Sequence, residues 1–370
     1  MLSPAHNRVV FSRLIPWGQR AHGGVLRSRQ IAELVCRSFS GAQECLAPDI
    51  RATSPAARAR LLWEIGGRLP TVFGQRLDVR DAAYMGLISR LFADHDLKRG
   101  DVVVVDADRS SGRGLMAAAT ARGLSVVALP QNFEGLMPAE WPPRFDLDAM
   151  LAMMRRDVNW LSRTAQVWAI GALDQELLQL FGIPACLLPY WPPAQRCQEL
   201  LALRQLRATS AREHVLVLGS ATNPPTRTGM LELLKFLRQR PVGLPVVVAG
   251  YGTDQLAAEL SPGVRVVGEQ SDEQLRTLLA RAHLLWVHQG PMTGALTRVT
   301  EALIAGIPIL GNHWAARSVP ANPGLRVYAD LEEAAALVGD RLTVPTVPDI
   351  SREEQAFVAA LRQLQNGALS

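Results

Sequence analysis

A strand, a turn, a helix and a second strand follow one another between Leu284 and Leu310, and this order constrains the fold more than any other feature. The largely apolar run 284–288 predicts a buried strand, and the small residues of 290–294 predict a turn that opens a helix. That helix is expected to end at Gly306. Such a unit directs the free N–H groups of the helix to the carboxyl end of the strand, where a phosphate binds well. The segment therefore predicts an α/β domain with an anion site.

The side chains of this helix have distinct expected roles. Thr293 is placed to cap the helix, and Gly294 lets a ligand approach the backbone closely. Arg298 and Glu301 are three residues apart, so they are expected to lie together on one face and to suit a nucleotide diphosphate and its ribose. Spacing alone leaves a surface ion pair as the alternative. The stripe expected to pack onto the core comprises Leu296, Val299 and Leu303.

Composition excludes several classes of protein. The chain has 370 residues, enough for two domains, and its 48% apolar and 20% charged residues are typical of globular proteins. No apolar run approaches the roughly 18 residues of a membrane span, and the N-terminus lacks the apolar stretch of a signal peptide. The cysteines show no metal-binding spacing, so we expect reduced thiols in a cytoplasmic protein. They are Cys36, Cys45, Cys186 and Cys197.

The net charge of +5 rests on arginine, because Lys98 and Lys235 are the only lysines. Arg13, Arg20 and Arg27 stand in an N-terminal stretch without acids. This basic face could contact an anionic acceptor or the inner face of a membrane, or it could bind a donor phosphate. Nucleic acid is not expected as a partner, because no aromatic interleaving or DNA-binding motif accompanies the charges.

Strand and helix patterns alternate through both halves of the chain. In the C-terminal half, β-branched runs at 214–219, 245–249 and 264–267 alternate with helices, which predicts a doubly wound parallel sheet. A capping box at 271–274 opens one of these helices, which is predicted to extend to Ala282. Another helix is predicted around 255–260.

The N-terminal half is similar but less regular. Strands are predicted at 8–12, 101–105 and 124–129, with a helix from Val25 to Val35. The proline-led, polar segment 192–211 is interpreted as the linker.

We therefore predict an N-terminal domain over residues 1–195 and a C-terminal domain over 212–342. A final helix over 351–370 would open with a capping box, Ser351 to Glu354, and pack back on the first domain.

The run from Thr293 to Pro308, Thr-Gly-x-x-x-Arg-x-x-Glu-Ala-x-x-x-Gly-x-Pro, resembles the signature of family 4 retaining glycosyltransferases. It is similar to a subgroup whose turn reads Gly-Thr-Gly. The resemblance implies the GT-B fold, in which two Rossmann-like domains face each other across a cleft. It also implies that Glu301 holds the ribose of a nucleotide-sugar. The sequence departs from the family at Thr293, where a glutamate is usual, and Arg298 stands where the subgroup carries a lysine.

Shorter matches in the C-terminal half follow the same order as in the family. Gly219 and Ser220, with Arg227 further on, resemble the loop that meets the diphosphate. The resemblance implies a place beside the nucleotide base for two further turns, whose residues are Gly250, Tyr251, Gly252 and Gln270.

In the N-terminal half, Gly23 and Gly24 resemble the family's glycine pair, which would shape the sugar site; a plain βα turn is the alternative. Asn132 and Glu134 match a subgroup motif, whereas Gln131 replaces its histidine, so that Glu134 or the substrate itself would act as any base.

The resemblance implies transfer of a hexose-type sugar from a nucleotide-diphosphate sugar, with retention, to a glycan, lipid-linked or small-molecule acceptor. Arg298 and Arg227 would neutralise the leaving diphosphate. We expect no cofactor and no metal, since Asp106-Ala-Asp108 lies in the acceptor half. Two alternatives stay open: a non-catalytic binding or partner protein of the same fold, and a sugar-nucleotide epimerase, for which we find no acid–base pair.

Overall fold

The computed structural model describes residues 8–13, 23–46, 54–56, 63, 77–106, 112–133, 136, 146–259 and 262–367. Within this part of the chain, the residues form two compact units. The first unit takes those up to Leu136, those from Asp146 to Pro189 and those from Ile350 onward. The second unit runs from Tyr190 to Asp349.

The first unit is built on a six-stranded parallel sheet with the strand order β2-β1-β3-β4-β5-β6. Its strands are β1 Val9–Arg13, β2 Gln43–Leu46, β3 Val102–Val105, β4 Ser125–Ala128, β5 Gln166–Ala169 and β6 Ala185–Leu187. Its described helices include α1 Gly23–Ser38, α2 Val79–Asp94, α3 Gly112–Arg122, α4 Leu147–Leu161, α5 Ala172–Leu180 and the terminal helix Ser351–Gln365.

Apolar residues on both faces of this sheet are buried, as the β-branched runs predict. In β3, Val103 and Val105 belong to the cluster that includes α2 and α3, whereas Val102 and Val104 belong to the cluster of α1 and the terminal helix. Phe357 of that helix packs edge-on against Trp168, with 5.2 Å between the ring centroids. The terminal helix thus completes the core of the first unit.

The second unit has its own six-stranded parallel sheet, with the order β12-β11-β10-β7-β8-β9. Its strands are β7 His214–Leu218, β8 Val246–Ala249, β9 Val264–Gly268, β10 Ala282–Val287, β11 Ile309–Asn312 and β12 Leu325–Tyr328. Its helices include α6 Ala194–Thr209, α7 Pro224–Gln239, α8 Asp272–Arg281, α9 Thr297–Ile304, α10 His313–Ala316 and α11 Leu331–Leu337. The terminal helix of the first unit is α12.

Both faces of the second sheet are also covered. Helices α6, α8 and α9 contribute to one apolar cluster, and α7 and α11 contribute to the other. The stripe predicted for α9 is buried in the first of these clusters, at Leu296, Val299 and Leu303. This arrangement leaves the carboxyl ends of the central strands to form the candidate site.

Three local predictions are wrong. The polar segment 192–211 is mostly helix α6, because its leucines Leu200 and Leu203 pack into the core of the second unit. The helix predicted around 255–260 is the 3₁₀ helix Thr253–Glu259. The capping box at Ser351 does not form, because Ile350 is the N-cap and Ser351 is already inside the helix. The box at Ser271 and Gln274 is present as predicted.

Arginines of α6 bind the carbonyl groups at the ends of two neighbouring helices. Buried Arg207 donates to the carbonyl oxygens of Ala280 (3.1 Å), Ala282 (3.0 Å) and Gly306 (3.2 Å), and also to that of Leu279. Helix α8 therefore ends on a side-chain cap. Arg204 of α6 donates to the last carbonyl groups of α9, those of Leu303 and Ile304, at 2.8 Å each. Such carbonyl groups otherwise lack partners within the helix.

Gly250 brings the turn after β8 against the turn after β7. Its φ is +128°, and a Cβ at this position would lie 2.0 Å from the carbonyl oxygen of Gly219. Only a glycine fits this backbone conformation and this approach without displacement. The two turns are therefore packed main chain against main chain.

We expect Gly250→Ala to lower the free energy of unfolding by more than about 1 kcal/mol, because the added methyl strains φ and displaces the Gly219 carbonyl. Urea denaturation measures the change. Gly243→Ala, just before β8, is the matched control, since nothing lies within 4 Å of its Cβ position; its change should stay within about 0.5 kcal/mol. Equal losses in both variants would contradict the packing of the two turns.

We expect Arg207→Met to lower the free energy of unfolding by at least about 2 kcal/mol, because several buried carbonyl groups lose their donor. Chemical denaturation again provides the measurement. Arg276→Met is the control, since Arg276 is an exposed arginine on α8. Wild-type stability in Arg207→Met would mean that these carbonyl groups find other partners.

Candidate nucleotide-diphosphate site

The candidate site lies at the carboxyl ends of the central strands in the second unit. Gly219 follows β7, Gly250 follows β8, and Gln289 comes shortly after β10. Because the strands are parallel, these residues meet at one edge of the sheet. The structure thus brings together residues that are far apart in sequence.

Arg298 reaches this edge from the first turn of α9. A Cβ on Gly219 would lie 2.8 Å from the Thr226 methyl carbon and 3.4 Å from the guanidinium carbon of Arg298. The loop after β7 therefore contacts both the start of α7 and the arginine. Gly219 and Arg298 are thus neighbours.

The guanidinium of Arg298 has a neutral partner. Its Nη2 donates to the Gln289 side-chain oxygen at 2.7 Å. Its buried Nε has no hydrogen-bond partner among the described residues, and none of their carboxylates pairs with it. Burial lowers the pKa of Arg298 to about 10, which still leaves it charged at neutral pH. The residue as a whole is only partly buried, but a cation with an enclosed Nε and no anionic partner is a candidate for binding an anion.

Gln289 organises this pocket, although we assigned it no role from the sequence. Its side-chain oxygen also accepts from the Thr226 hydroxyl at 3.2 Å. Asn312, the last residue of β11, holds the Gln289 backbone: its side-chain amide donates to the Gln289 carbonyl at 2.8 Å, and its side-chain oxygen accepts from the Gln289 N–H at 3.3 Å. The buried Gln289 amide nitrogen has no partner among the described residues. The only sequence signal for a role of Gln289 was its position directly before the Gly-Pro turn.

The turn after β8 lies beside the loop after β7. The Tyr251 carbonyl accepts from the Ala221 N–H at 2.9 Å, and the Tyr251 side chain is exposed. Gly252 has a φ of +72° and lies close to the Thr222 methyl group. The Gln270 amide is bound locally, to the Val267 carbonyl at 2.7 Å. The two turns predicted beside the base are adjacent, because the Gly250 N–H donates to the Gly268 carbonyl at 2.8 Å. The Tyr251 ring is open to solvent.

The amino terminus of α7 presents few backbone donors. Asn223 is its N-cap without a side-chain cap bond, and Pro224 and Pro225 come next. Proline has no N–H, so two donors that usually serve an anion at a helix terminus are missing. Ser220 bonds to the Thr222 hydroxyl at 2.7 Å. The exposed Arg227 side chain forms no hydrogen bond or ion pair with any described residue.

The prediction that Thr293 caps the helix is wrong. Helix α9 begins at Thr297 with Leu296 as its N-cap, and the Leu296 N–H donates to the Ser318 hydroxyl at 2.9 Å. Thr293 is buried in the preceding turn, where Gly294 has a φ of +78°. The N-cap residue Leu296 makes no side-chain cap bond to this helix.

Glu301 lies on the same helix as Arg298, but the two side chains have different hydrogen-bond partners. Its carboxylate accepts from Arg196 of α6, from Nη2 at 2.8 Å and from Nε at 3.2 Å. Its other oxygen accepts from the Tyr190 hydroxyl at 3.0 Å. The Glu301 side chain is 13% exposed. Neither partner was assigned a role in the sequence.

In the first unit, Gly23 and Gly24 form the first residues of α1. The Gly24 carbonyl accepts from the Ser28 hydroxyl at 3.1 Å and from the Gln131 amide at 3.4 Å. The Ser28 hydroxyl also contacts the buried carboxylate of Asp106. Gln131, which replaces the subgroup's histidine, thus contacts the predicted glycine pair. Glu134, Arg20 and His22 lie outside the described residues.

One of the arginines predicted to form a basic N-terminal face does not lie on the surface. Arg27 is buried and donates to the Leu188 carbonyl at 2.7 Å and to the Pro189 carbonyl at 3.0 Å. It therefore stabilises the first unit internally. Within the described ranges, no helix is long and apolar enough to span a bilayer, and no group of His, Cys, Asp or Glu has the geometry of a metal site.

Comparison by sequence finds no relative. No protein-family model matches the chain, and no curated protein is significantly similar to it.

Solved structures are similar to the chain over almost its full length. HepE from Anabaena, in complex with UDP and glucose, has a TM-score of 0.60 and 13% identity, covering 98% of both chains. Sucrose-phosphate synthase from Thermosynechococcus elongatus has a TM-score of 0.60 and 14% identity, covering 98% of this chain and 94% of its own. The catalytic domain of starch synthase IV from Arabidopsis thaliana, bound to ADP and acarbose, has a TM-score of 0.57 and 10% identity, covering 98% and 99%.

At these identities the similarity concerns the fold. The two parallel six-stranded sheets with interleaved helices match those of GT-B proteins. The prediction of an α/β, two-domain architecture is confirmed, and the chain has the GT-B fold.

Proposed function

We propose that this protein is a metal-independent, family 4-like retaining glycosyltransferase that transfers a sugar from a nucleotide-diphosphate donor. The observation that carries the proposal is Arg298, a partly buried cation with an enclosed Nε, whose described partner is the neutral side chain of Gln289. Its position beside Gly219, at the carboxyl ends of the strands, is where nucleotides bind in open α/β sheets. The GT-B fold adds support, because two of the similar structures named above, HepE and starch synthase IV, contain UDP and ADP respectively.

Stabilising the leaving diphosphate is the main chemical task in such a transfer. As the bond from the sugar to the phosphate breaks, negative charge grows on the phosphate oxygen, and a fixed cation there lowers the barrier. Arg298 provides that cation, and Gln289 fixes its orientation. A low-polarity surrounding strengthens the interaction.

Side-chain cations carry more of this task here than backbone N–H groups. Pro224 and Pro225 remove donors from the start of α7, so the phosphate would depend on Arg298 and, from the exposed side, on Arg227. Ser220 and Gly294 would approach the phosphates through the main chain, and Thr293 would replace the usual glutamate near the sugar. In the first unit, the glycine pair Gly23–Gly24 at the start of α1 would shape the sugar site, with Glu134 as any base.

A non-catalytic binding protein is the second candidate, and Gln131 is the observation that favours it. Its amide contacts the Gly24 carbonyl, where the subgroup's histidine could exchange a proton. Such a protein would bind nucleotide-sugars without consuming them. Incubation with a donor and a panel of acceptors therefore separates the two candidates. NMR coupling constants of the anomeric proton in the first product distinguish retention from inversion.

We expect Arg298→Met to weaken binding of nucleoside diphosphates by about tenfold to a hundredfold, the loss expected for a charged hydrogen bond. Affinity for the bare nucleoside should not change, because it carries no phosphate. The melting temperature without ligand should be equal or higher, since burial disfavours the charged form of this side chain. Calorimetry and thermal unfolding with UDP, ADP, GDP and their nucleosides measure both effects.

Arg276→Met is the matched control and should bind like wild type, because Arg276 is exposed on α8. Arg227→Met tests the second cation and should cause a smaller loss, as expected for an exposed charge. Wild-type diphosphate affinity in Arg298→Met would contradict the assignment of this side chain to the leaving group.

A further inference from the structure

We propose that His288, held between Glu232 and Tyr328, is a pH-sensitive latch that fixes the carboxyl end of β10 to α7 and β12 and releases it on acidification. All three residues belong to the second unit, and the latch needs no nucleotide. None of these side chains has a role in the proposed transfer.

Both ring nitrogens of His288 have partners on other elements. Nε2 lies 3.1 Å from Glu232 Oε2 on α7, and Nδ1 lies 2.7 Å from the Tyr328 hydroxyl on β12. Because β11 separates β10 from β12 in the sheet, the tyrosine joins two strands that do not pair with each other. The His288 main chain is also tightly packed, since a Cβ on Gly229 of α7 would lie 1.9 Å from its carbonyl oxygen. The imidazole thus ties the end of β10 to two neighbouring elements.

Counting hydrogen atoms assigns the protonation state of the imidazole. The Trp286 indole N–H can only donate, and it donates to the Tyr328 hydroxyl oxygen at 3.2 Å. Burial raises the pKa of Tyr328, so its hydroxyl keeps its hydrogen. Among the described residues, His288 Nδ1 is the acceptor for that hydrogen, so Nε2 carries the hydrogen that Glu232 accepts. The neutral imidazole therefore completes all three hydrogen bonds.

Protonation of Nδ1 breaks this network. The Tyr328 oxygen would then face two N–H donors, and its own buried O–H would lose its acceptor. Three titratable groups act on His288: Glu232 of α7, Tyr328 of β12 and His313, the first residue of α10. Burial lowers the pKa of His288 below its ordinary value of 6.5, and His313 acts in the same direction, whereas the Glu232 carboxylate opposes both. The Glu232 side chain is 52% exposed, so solvent weakens its attraction.

Acidification therefore weakens the fold at this point. The folded state keeps His288 neutral at pH values where the unfolded chain already protonates it, so stability falls as the pH falls below 6.5. The stabilisation by the network is present at neutral pH and is lost as the pH falls through the folded-state pKa of His288. Gln289 follows directly in the sequence, so release of the latch loosens the strand end that positions it.

NMR of protein labelled with ¹⁵N-histidine and ¹⁵N-tryptophan tests the latch. We expect the His288 imidazole to titrate below pH 6.5. The Trp286 indole N–H signal should shift with the same midpoint, because both side chains bind the Tyr328 hydroxyl. His288→Gln and Trp286→Phe identify the two signals among seven histidines and eight tryptophans. His288→Gln should also lose part of the shift in urea midpoint between about pH 5 and about pH 7.5.

Two variants should move the His288 midpoint in opposite directions. Tyr328→Phe removes the hydroxyl that donates to Nδ1, so the midpoint should rise. Glu232→Gln keeps an acceptor for Nε2 but removes the charge that favours the imidazolium, so the midpoint should fall. Because Glu232 is half exposed, this variant tests the latch even if Tyr328→Phe does not fold. Glu273→Gln is the control: Glu273 is an exposed acid on α8, and its loss should leave the midpoint unchanged.

A His288 midpoint at or above 6.5 in wild type would overturn the proposal. A Trp286 signal that stays constant while His288 titrates would overturn it as well, since the two side chains would then not share the Tyr328 hydroxyl. The same holds if Glu232→Gln leaves the His288 midpoint where it is in wild type.

Discussion

The carbonyl groups at the ends of α8 and α9 are held by arginines of α6, and the geometry of the candidate site depends on this anchoring. Arg207 binds carbonyl groups at both helix ends, and Arg204 binds those of Leu303 and Ile304 at 2.8 Å each. Because α9 has only eight residues, fixing its last turn also fixes its first. Arg298 and Glu301 are carried on this short helix. The same helix α6 supplies the ion pair to Glu301.

A buried charge is a cost that a protein interior usually offsets with a partner of opposite sign. Arg196 follows this rule, since carboxylates on two sides outweigh its burial. Arg298 does not, because Gln289 offers it only a neutral oxygen and its Nε has no partner in the described part of the chain. The two arginines lie in the same unit, so composition cannot explain the difference. Binding sites commonly retain such locally unfavourable groups, because a ligand compensates for them.

The sequence predicted the sheets better than the contacts within the site. Runs of valine such as 102–105 are buried on both faces of a parallel sheet, and this pattern depends only on residue type. Periodicity likewise placed Val299 and Leu303 in the core. It could not identify the partners of Arg298 and Glu301, because Gln289 and Arg196 reach them from other elements. The start of α9 was misplaced for the same reason, since Leu296 is its N-cap and Ser318, from another segment, accepts from the Leu296 N–H.

The two prolines at the start of α7 and the partly buried arginine on α9 are complementary features of the candidate site. A helix terminus binds an anion through its first N–H groups, and Pro224 and Pro225 lack them. The helix dipole remains, but it offers a diphosphate no hydrogen bonds at these positions. A guanidinium can supply both charge and directed donors, and Arg298 stands beside Gly219, where the phosphates would lie. An arginine with its forked donors, in place of a lysine, therefore suits a site with fewer backbone donors.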